Sequence, residues 1–180
     1  MTLLSTVRVY SGRVVSLDVD TVEFPNGNVG ELEMLRHPGA SAVLPFLDDP
    51  AAPDPRILLI RQFRHATGDY LLEIPAGRRD GEEHPDQTAH RELAEETGYR
   101  CGRLDRLTRI WTTPGFTDEV IHLYLAADLT PGATAHEADE VLALHPLRWS
   151  EALAMVQAGA ITDCKTLSAL LYTDAFVRRR

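Results

Sequence analysis

Between Gly77 and Tyr99 the chain reads GRRDGEEHPDQTAHRELAEETGY, and this stretch restricts the fold more than any other. From Pro85 to about Thr97 the residues favour a helix: a first-turn proline is tolerated, Ala89, Leu93 and Ala94 are good formers, and Gly98 stands at the stop. Ala89 and Leu93, four apart, supply a buried seam. Glu92 and Glu96 are also four apart and Glu95 lies three beyond Glu92, so three carboxylates crowd one short helix. Like charges at this spacing repel, and they sit toward the helix end whose dipole disfavours anions. A solvated acidic face with Arg91 as counter-ion is one way to recover that cost. A hard divalent cation with oxygen ligands is the other. The full spacing of Gly77, Glu83, Arg91, Glu92, Glu95, Glu96 and Gly98 favours the cation.

The stretch resembles the Nudix box at every defined position, with Tyr99 where the pattern has an aliphatic packing residue. The chain thus resembles the Nudix hydrolases, which cleave nucleoside diphosphates linked to another moiety. The resemblance implies an α+β Nudix fold, a mixed β-sheet sandwiched between α-helices, with a small N-terminal antiparallel sheet. It implies that Glu92 and Glu96 bind divalent metal, Mg²⁺ or Mn²⁺, with Glu95 assisting. It also implies that Arg91 holds a glutamate in place and that the Ala76 carbonyl is a metal ligand.

Ahead of this stretch, residues 5–36 read as short strands, Val7 to Tyr10, Arg13 to Val19, Thr21 to Phe24 and Glu31 to Arg36, with a turn over Pro25-Asn26-Gly27-Asn28. Such a meander is marginal alone and needs a packing partner. Either it packs on its own domain or, as nucleoside-diphosphate-sugar Nudix enzymes imply, it swaps onto a second subunit. The organisation expected is therefore 1–36 as an antiparallel meander in a homodimer interface and 37–180 as the Nudix domain. Ala40 to Leu47 and Arg56 to Arg64 follow as aliphatic strands, with DDPAAPDP read as a solvated hairpin loop between them.

Arg61 and Arg64 lie on opposite faces of their strand, so they cannot share one environment. Each either reaches a phosphate, for which a guanidinium fork is well matched, or pairs with Glu73 or Asp69. The Arg-Gln-Phe-Arg run resembles the segment with which ADP-ribose pyrophosphatases hold substrate, and that resemblance puts Arg61, Arg64 and Glu73 among the substrate-binding residues. Glu73 sits inside an apolar strand, where an unpaired charge is expensive, and must meet an arginine or a ligand. Gly77 is read as permitting a sharp turn that exposes main-chain carbonyls.

Leu104 to Trp111 and Val120 to Ala127 are expected strands around a loop, Thr112 to Glu119, that is either a plain hairpin or a functional element. Its Pro-Gly-Phe-Thr-Asp-Glu run resembles the ADP-ribose subgroup. That resemblance implies Glu119 as general base and Phe116 as a substrate contact. Beyond it come a strand from Val141 to Trp149, a helix capped by Ser150 and closed at Gly159, and a last helix over Asp163 to Phe176 with Leu167, Leu170 and Leu171 at core spacing. Arg178 to Arg180 read as a solvated tail.

A net charge of −9 argues against a nucleic-acid or anionic-membrane surface. It leaves room for a phosphate substrate, because a bound cation inverts the local sign. No apolar run is long enough to span a membrane and the N-terminus lacks a signal pattern, so a cytoplasmic protein is expected. Cys101 and Cys164 lack metal-ligand spacing and are read as unpaired. The resulting expectation is Mg²⁺-dependent hydrolysis of ADP-ribose to AMP and ribose 5-phosphate. Another nucleoside diphosphate sugar such as GDP-mannose, or a non-catalytic nucleotide-binding Nudix module, are the alternatives.

Overall fold

The computed structural model describes residues 1–132 and 142–178. They group into two compact units, Met1–Gly39 with Trp111–Val120, and Ala40–Ile110 with Ile121–Arg180.

The first unit is a three-stranded antiparallel sheet ordered β1 (Thr2–Ser11), β2 (Ser16–Glu23), β3 (Val29–Arg36). Sequence reading expected four pieces, but Arg13–Val19 and Thr21–Phe24 lie largely on the single strand β2. Asp20 causes no break there. It faces the same side as Asp18 and Val22, all three buried, and its carboxylate meets Arg36. The β2–β3 turn falls over Pro25–Asn28, where Gly27 adopts φ +82° and donates its N–H to Phe24. Strand β1 is exposed along its whole length, including Leu3, Val7, Val9 and Tyr10. The segment Trp111–Val120 belongs to this unit because Leu35 donates to the Phe116 carbonyl at 2.8 Å and bridges in parallel to Thr117.

The second unit contains β4 (Ala40–Pro45), β5 (Arg56–Arg64), β6 (Asp69–Glu73), β7 (Ala76–Arg78), α1 (Pro85–Thr97), β8 (Tyr99–Trp111), β9 (Val120–Pro131), β10 (Leu142–Arg148), α2 (Trp149–Gln157), α3 (Cys164–Tyr172) and a π-helical turn over Thr173–Arg178. A mixed sheet runs β7-β4-β9-β8, with β4 parallel to β9 and antiparallel to β7. A second, antiparallel sheet runs β10-β5-β6. Strand periodicity explains the layering. Ala40, Ala42 and Leu44 point into a core shared with Ile57, Leu59, Leu123, Leu125, Ala169 and Leu170. Val43 points the other way, to Ala89 and Leu93 of α1 and to Tyr124 and Ala126. The strand is therefore buried on both faces. Leu93 is fully buried, and truncating it to alanine is expected to cost about 2–5 kcal/mol.

Helix α1 takes the predicted limits. The His84 side chain accepts from Asp86, Gln87 returns a bond to the His84 N–H at 2.9 Å, and Gly98 closes the helix at φ +73°. Such a left-handed cap favours glycine because a Cβ is strained there.

Several local expectations fail for tertiary reasons. The DDPAAPDP segment closes as a hairpin through the antiparallel Phe46–Ile57 bridge and the Leu47 N–H on the Arg56 carbonyl at 2.9 Å, yet the strands it joins, β4 and β5, belong to different sheets. Ser150 is not the cap of α2. Arg148 holds that position, and the Ser150 N–H and Oγ both bond the Asp54 carboxylate of the preceding link. In the last helix Leu170 is buried, but Leu171, about 100° further round the same helix, is exposed. Arg178 is not a solvated tail: it donates to the carbonyls of Pro50, Ala52 and Pro53 and stands over the Trp149 ring. Val141, Arg179 and Arg180 lie outside the described residues.

Candidate active site

Helix α1 packs against β4 and β7, and this contact collects the predicted acidic residues. Glu92 and Glu96 occupy successive turns of its inner face and are 7% and 2% exposed, whereas the Glu95 side chain is 40% exposed. Glu96 Oε2 accepts the main-chain N–H of Ala76 at 3.0 Å. Glu92 lies flat on Gly77, where any Cβ would overlap its carboxylate. Glycine is needed at 77 for space within β7 rather than for a sharp turn. For Ala76, read as a carbonyl ligand, the contact displayed is its N–H.

Arg91 is the hub of this cluster. Its Nη1 donates to Glu92 at 2.6 Å and to Glu95 at 3.0 Å, and its Nη2 donates to Glu83 at 3.0 Å and to the Arg78 carbonyl at 2.9 Å. Burial opposes the charge of the guanidinium, but Glu83, Glu92 and Glu95 outweigh that and raise its pKa further. The bond to Arg91 in turn holds the Glu83 carboxyl below the usual range, with help from Thr88 at 2.9 Å. Glu83 belongs to the recognised spacing, yet its role as the anchor of Arg91 shows only in three dimensions.

The residues fit a hard divalent cation in kind. The donors are carboxylate oxygens, two of the carboxylates are buried, and the bare Gly77 leaves the space that Glu92 uses. Among the described residues no three His, Cys, Asp or Glu side chains converge as a complete cation site, and Arg91 stands against both Glu92 and Glu95. Main-chain and solvent oxygens would have to complete the shell.

The two arginines of β5 diverge as their spacing predicted. Arg61 is exposed and lies over the Tyr70 ring at 3.8 Å, a cation–π contact. Arg64 forms a fork on Glu73, Nε to Oε1 and Nη2 to Oε2, both at 2.7 Å. Glu73, 1% exposed, also pairs with Lys165, which bonds Asp163 at 3.0 Å. Glu73, read as a substrate contact, meets protein cations at both oxygens. Burial alone would raise its pKa, but Arg64 and Lys165 prevail and keep it below the ordinary range. Sequence reading missed Lys165, for which a position 92 residues from Glu73 left no local signal.

Within the other unit, Glu119 accepts from Thr112 Oγ1 at 2.9 Å and lies 3.5 Å from His37 Nδ1. Phe116 is half-exposed, and its main-chain carbonyl is the group that β3 holds. Neither cysteine is in a disulfide. Among the described residues no helix is long and apolar enough to cross a membrane.

Comparison with known proteins agrees with this geometry. The family model for the NUDIX domain matches residues 35–163, and the chain belongs to the Nudix family. It is 38% identical over 167 residues to an ADP-ribose pyrophosphatase of Bacillus subtilis, covering 92% of this chain and 88% of that one. It is 41% identical to a methanol dehydrogenase activator of Bacillus methanolicus, covering 94% and 90%. A GDP-mannose pyrophosphatase of Cronobacter sakazakii is 36% identical, covering 63% of this chain and 64% of that one. A solved structure described as an ADP compounds hydrolase superposes with TM-score 0.83 over 99% of this chain and 94% of that one, at 23% identity, and supports the shared fold.

Proposed function

We propose that the protein is a divalent-metal-dependent pyrophosphatase that hydrolyses ADP-ribose to AMP and ribose 5-phosphate. The observation that carries this reading is the buried Glu92–Glu96 pair set on Ala76 and Gly77 of β7 in a chain similar almost end to end to an ADP-ribose pyrophosphatase. The GDP-mannose relatives match a smaller share of the chain, which favours the adenine nucleotide.

Pyrophosphate hydrolysis needs its developing negative charge neutralised and a water oriented in line. Glu92 and Glu96, with the Ala76 carbonyl and assistance from Glu95, would hold Mg²⁺ or Mn²⁺, which supplies charge neutralisation and acidifies water. Arg91 keeps Glu92 and Glu95 in their rotamers by donating to both. Arg64, whose Nε–Nη2 edge is fixed on Glu73, would present its Nη1 side to a phosphate, and exposed Arg61 adds positive charge. Glu119 removes the proton from the attacking water, oriented by Thr112. Phe116 contributes to substrate contact. The enzyme acts in the cytoplasm as a homodimer, whose interface the exposed apolar β1 would supply together with the rest of the 1–36 meander.

The test is AMP release from ADP-ribose with and without Mg²⁺, beside GDP-mannose and diadenosine polyphosphate at equal concentration. Metal-dependent turnover strongest on ADP-ribose is expected. Stronger turnover of another substrate keeps the metal chemistry and discards the substrate; no turnover moves the reading to a nucleotide-binding module. The Bacillus methanolicus relative favours a second reading, activation of a dehydrogenase. Stimulation of a methanol dehydrogenase that survives Glu96→Gln would separate that role from hydrolysis.

A further inference from the structure

The strand-bound side of the Thr112–Glu119 loop is fastened to β3 by a dense set of contacts. Leu35 donates to the Phe116 carbonyl at 2.8 Å, and Asp118 donates its N–H to the Leu35 carbonyl at 3.3 Å. The Asp118 side chain uses both oxygens: Oδ1 accepts the main-chain N–H of His37 at 2.8 Å, and Oδ2 accepts from Arg36 Nη1 at 3.4 Å. Arg36 is itself held. Its Nε donates to Asp18 at 3.0 Å and its Nη2 to Asp20, two buried carboxylates on β2. Arg8 of β1 also forks on Asp18, and Thr6 bonds Asp20 at 2.9 Å.

A plain hairpin loop would need none of this. Burying two carboxylates on one strand face is expensive without a shared cation, and an arginine so held is rigid. Arg36, which shares Asp18 with Arg8 and pairs with Asp20, is also the cation that reaches the loop. Glu119, the next residue after Asp118, takes its position from there, and its two oxygens meet Thr112 and His37.

We infer that Arg36 and Asp118 are positioning residues, and that the β1–β2–β3 sheet sets the placement of Glu119 through them. This rests on the reading of Glu119 as the general base. Beside its proposed place in a dimer interface, the sheet is then part of the device that orients the base.

The experiment combines steady-state kinetics on ADP-ribose with hydrogen exchange on the metal-free protein. Asp118→Ala is expected to lower kcat about tenfold with KM within about twofold, the mark of a lost transition-state interaction. In a Glu119→Gln background the same change is expected to cause no further loss, because residues acting as one unit are non-additive. Exchange should speed up at residues 35–37 and 112–119. Arg36→Lys, which keeps a cation beside Asp18 and Asp20, serves as the milder variant should Asp118→Ala fold poorly, and is expected to reproduce the same pattern at smaller amplitude. An equal tenfold loss in the Glu119→Gln background, or unchanged exchange in the loop, overturns the inference. A wild-type rate for Glu119→Gln alone overturns the base reading and the catalytic half of the inference together, while the exchange data decide separately whether the clamp exists.

Discussion

Two ionic clusters of the second unit are built from the same side-chain types and differ in their balance. At β6 and α3, Glu73 and Asp163 meet Arg64 and Lys165, two anions against two cations. At α1, Arg91 lies within 4 Å of Glu83, Glu92, Glu95 and Asp80, and Arg78 reaches Asp80 at 4.0 Å. A balanced cluster satisfies itself and ties two elements together. An acid-rich one favours further positive charge, and burial strengthens that preference. The difference teaches that charge content alone does not mark a metal site. The local excess of anion over cation at α1 is what the proposed cation would offset.

The sharpest way to break the comparison is at Glu96. Replacing it by glutamine is expected to reduce Mg²⁺-dependent turnover by roughly 10³-fold, about 4 kcal/mol of lost charge stabilisation, with the melting temperature preserved because a like charge is removed. A mutant as active as the parent would remove the metal argument.

In the balanced cluster the expected effect is on folding. Lys165→Met should lower unfolding stability by about 3 kcal/mol in denaturant titration, the scale for breaking a buried pair. If stability held while turnover fell as far as in Glu96→Gln, the two clusters would not be functionally distinct.

Glu95 tests the edge of the acid-rich cluster. Its side chain is 40% exposed and bonded to Arg91, so Glu95→Gln should slow turnover only about tenfold, the scale of a supporting contact around a metal. A loss equal to that of Glu96→Gln would make it a full ligand.

The smallest effect concerns pH. The folded pKa of Glu73 is depressed, so the stability it contributes is complete above its unfolded value of about 4.3 and is lost as pH falls through the lower folded value. Thermal unfolding followed from pH 7 to pH 3 should show a flat melting temperature to about pH 5 and then a decline, and Glu73→Gln should weaken that decline.

Much of the α1 site could be read before any coordinates. Periodicity and spacing suffice for a helix over Pro85–Thr97, with Ala89 and Leu93 buried and Glu92, Glu95, Glu96 and Arg91 together, because residues three and four apart share a face. What local pattern could not carry was partner choice across long separations. Glu73 could be seen to need a cation, and Arg64 was a candidate, but Lys165 enters only because α3 packs beside β6. Likewise Ser150 looked like a cap until Asp54 took its hydroxyl, and Arg178 looked like a tail until it found the carbonyls of the link at residues 50–53.

The sequence by itself determined the family resemblance and the acidic helix, since these follow from short-range spacing, whereas the space that Gly77 leaves for Glu92 shows only in the fold. Only the tertiary structure decided which charges are balanced, that Glu73 backs Arg64, and that Asp118 ties the Glu119 loop to Arg36. Those outcomes depend on which distant side chains share a desolvated space, and the energy of a charge there is set by its neighbours in space rather than in sequence.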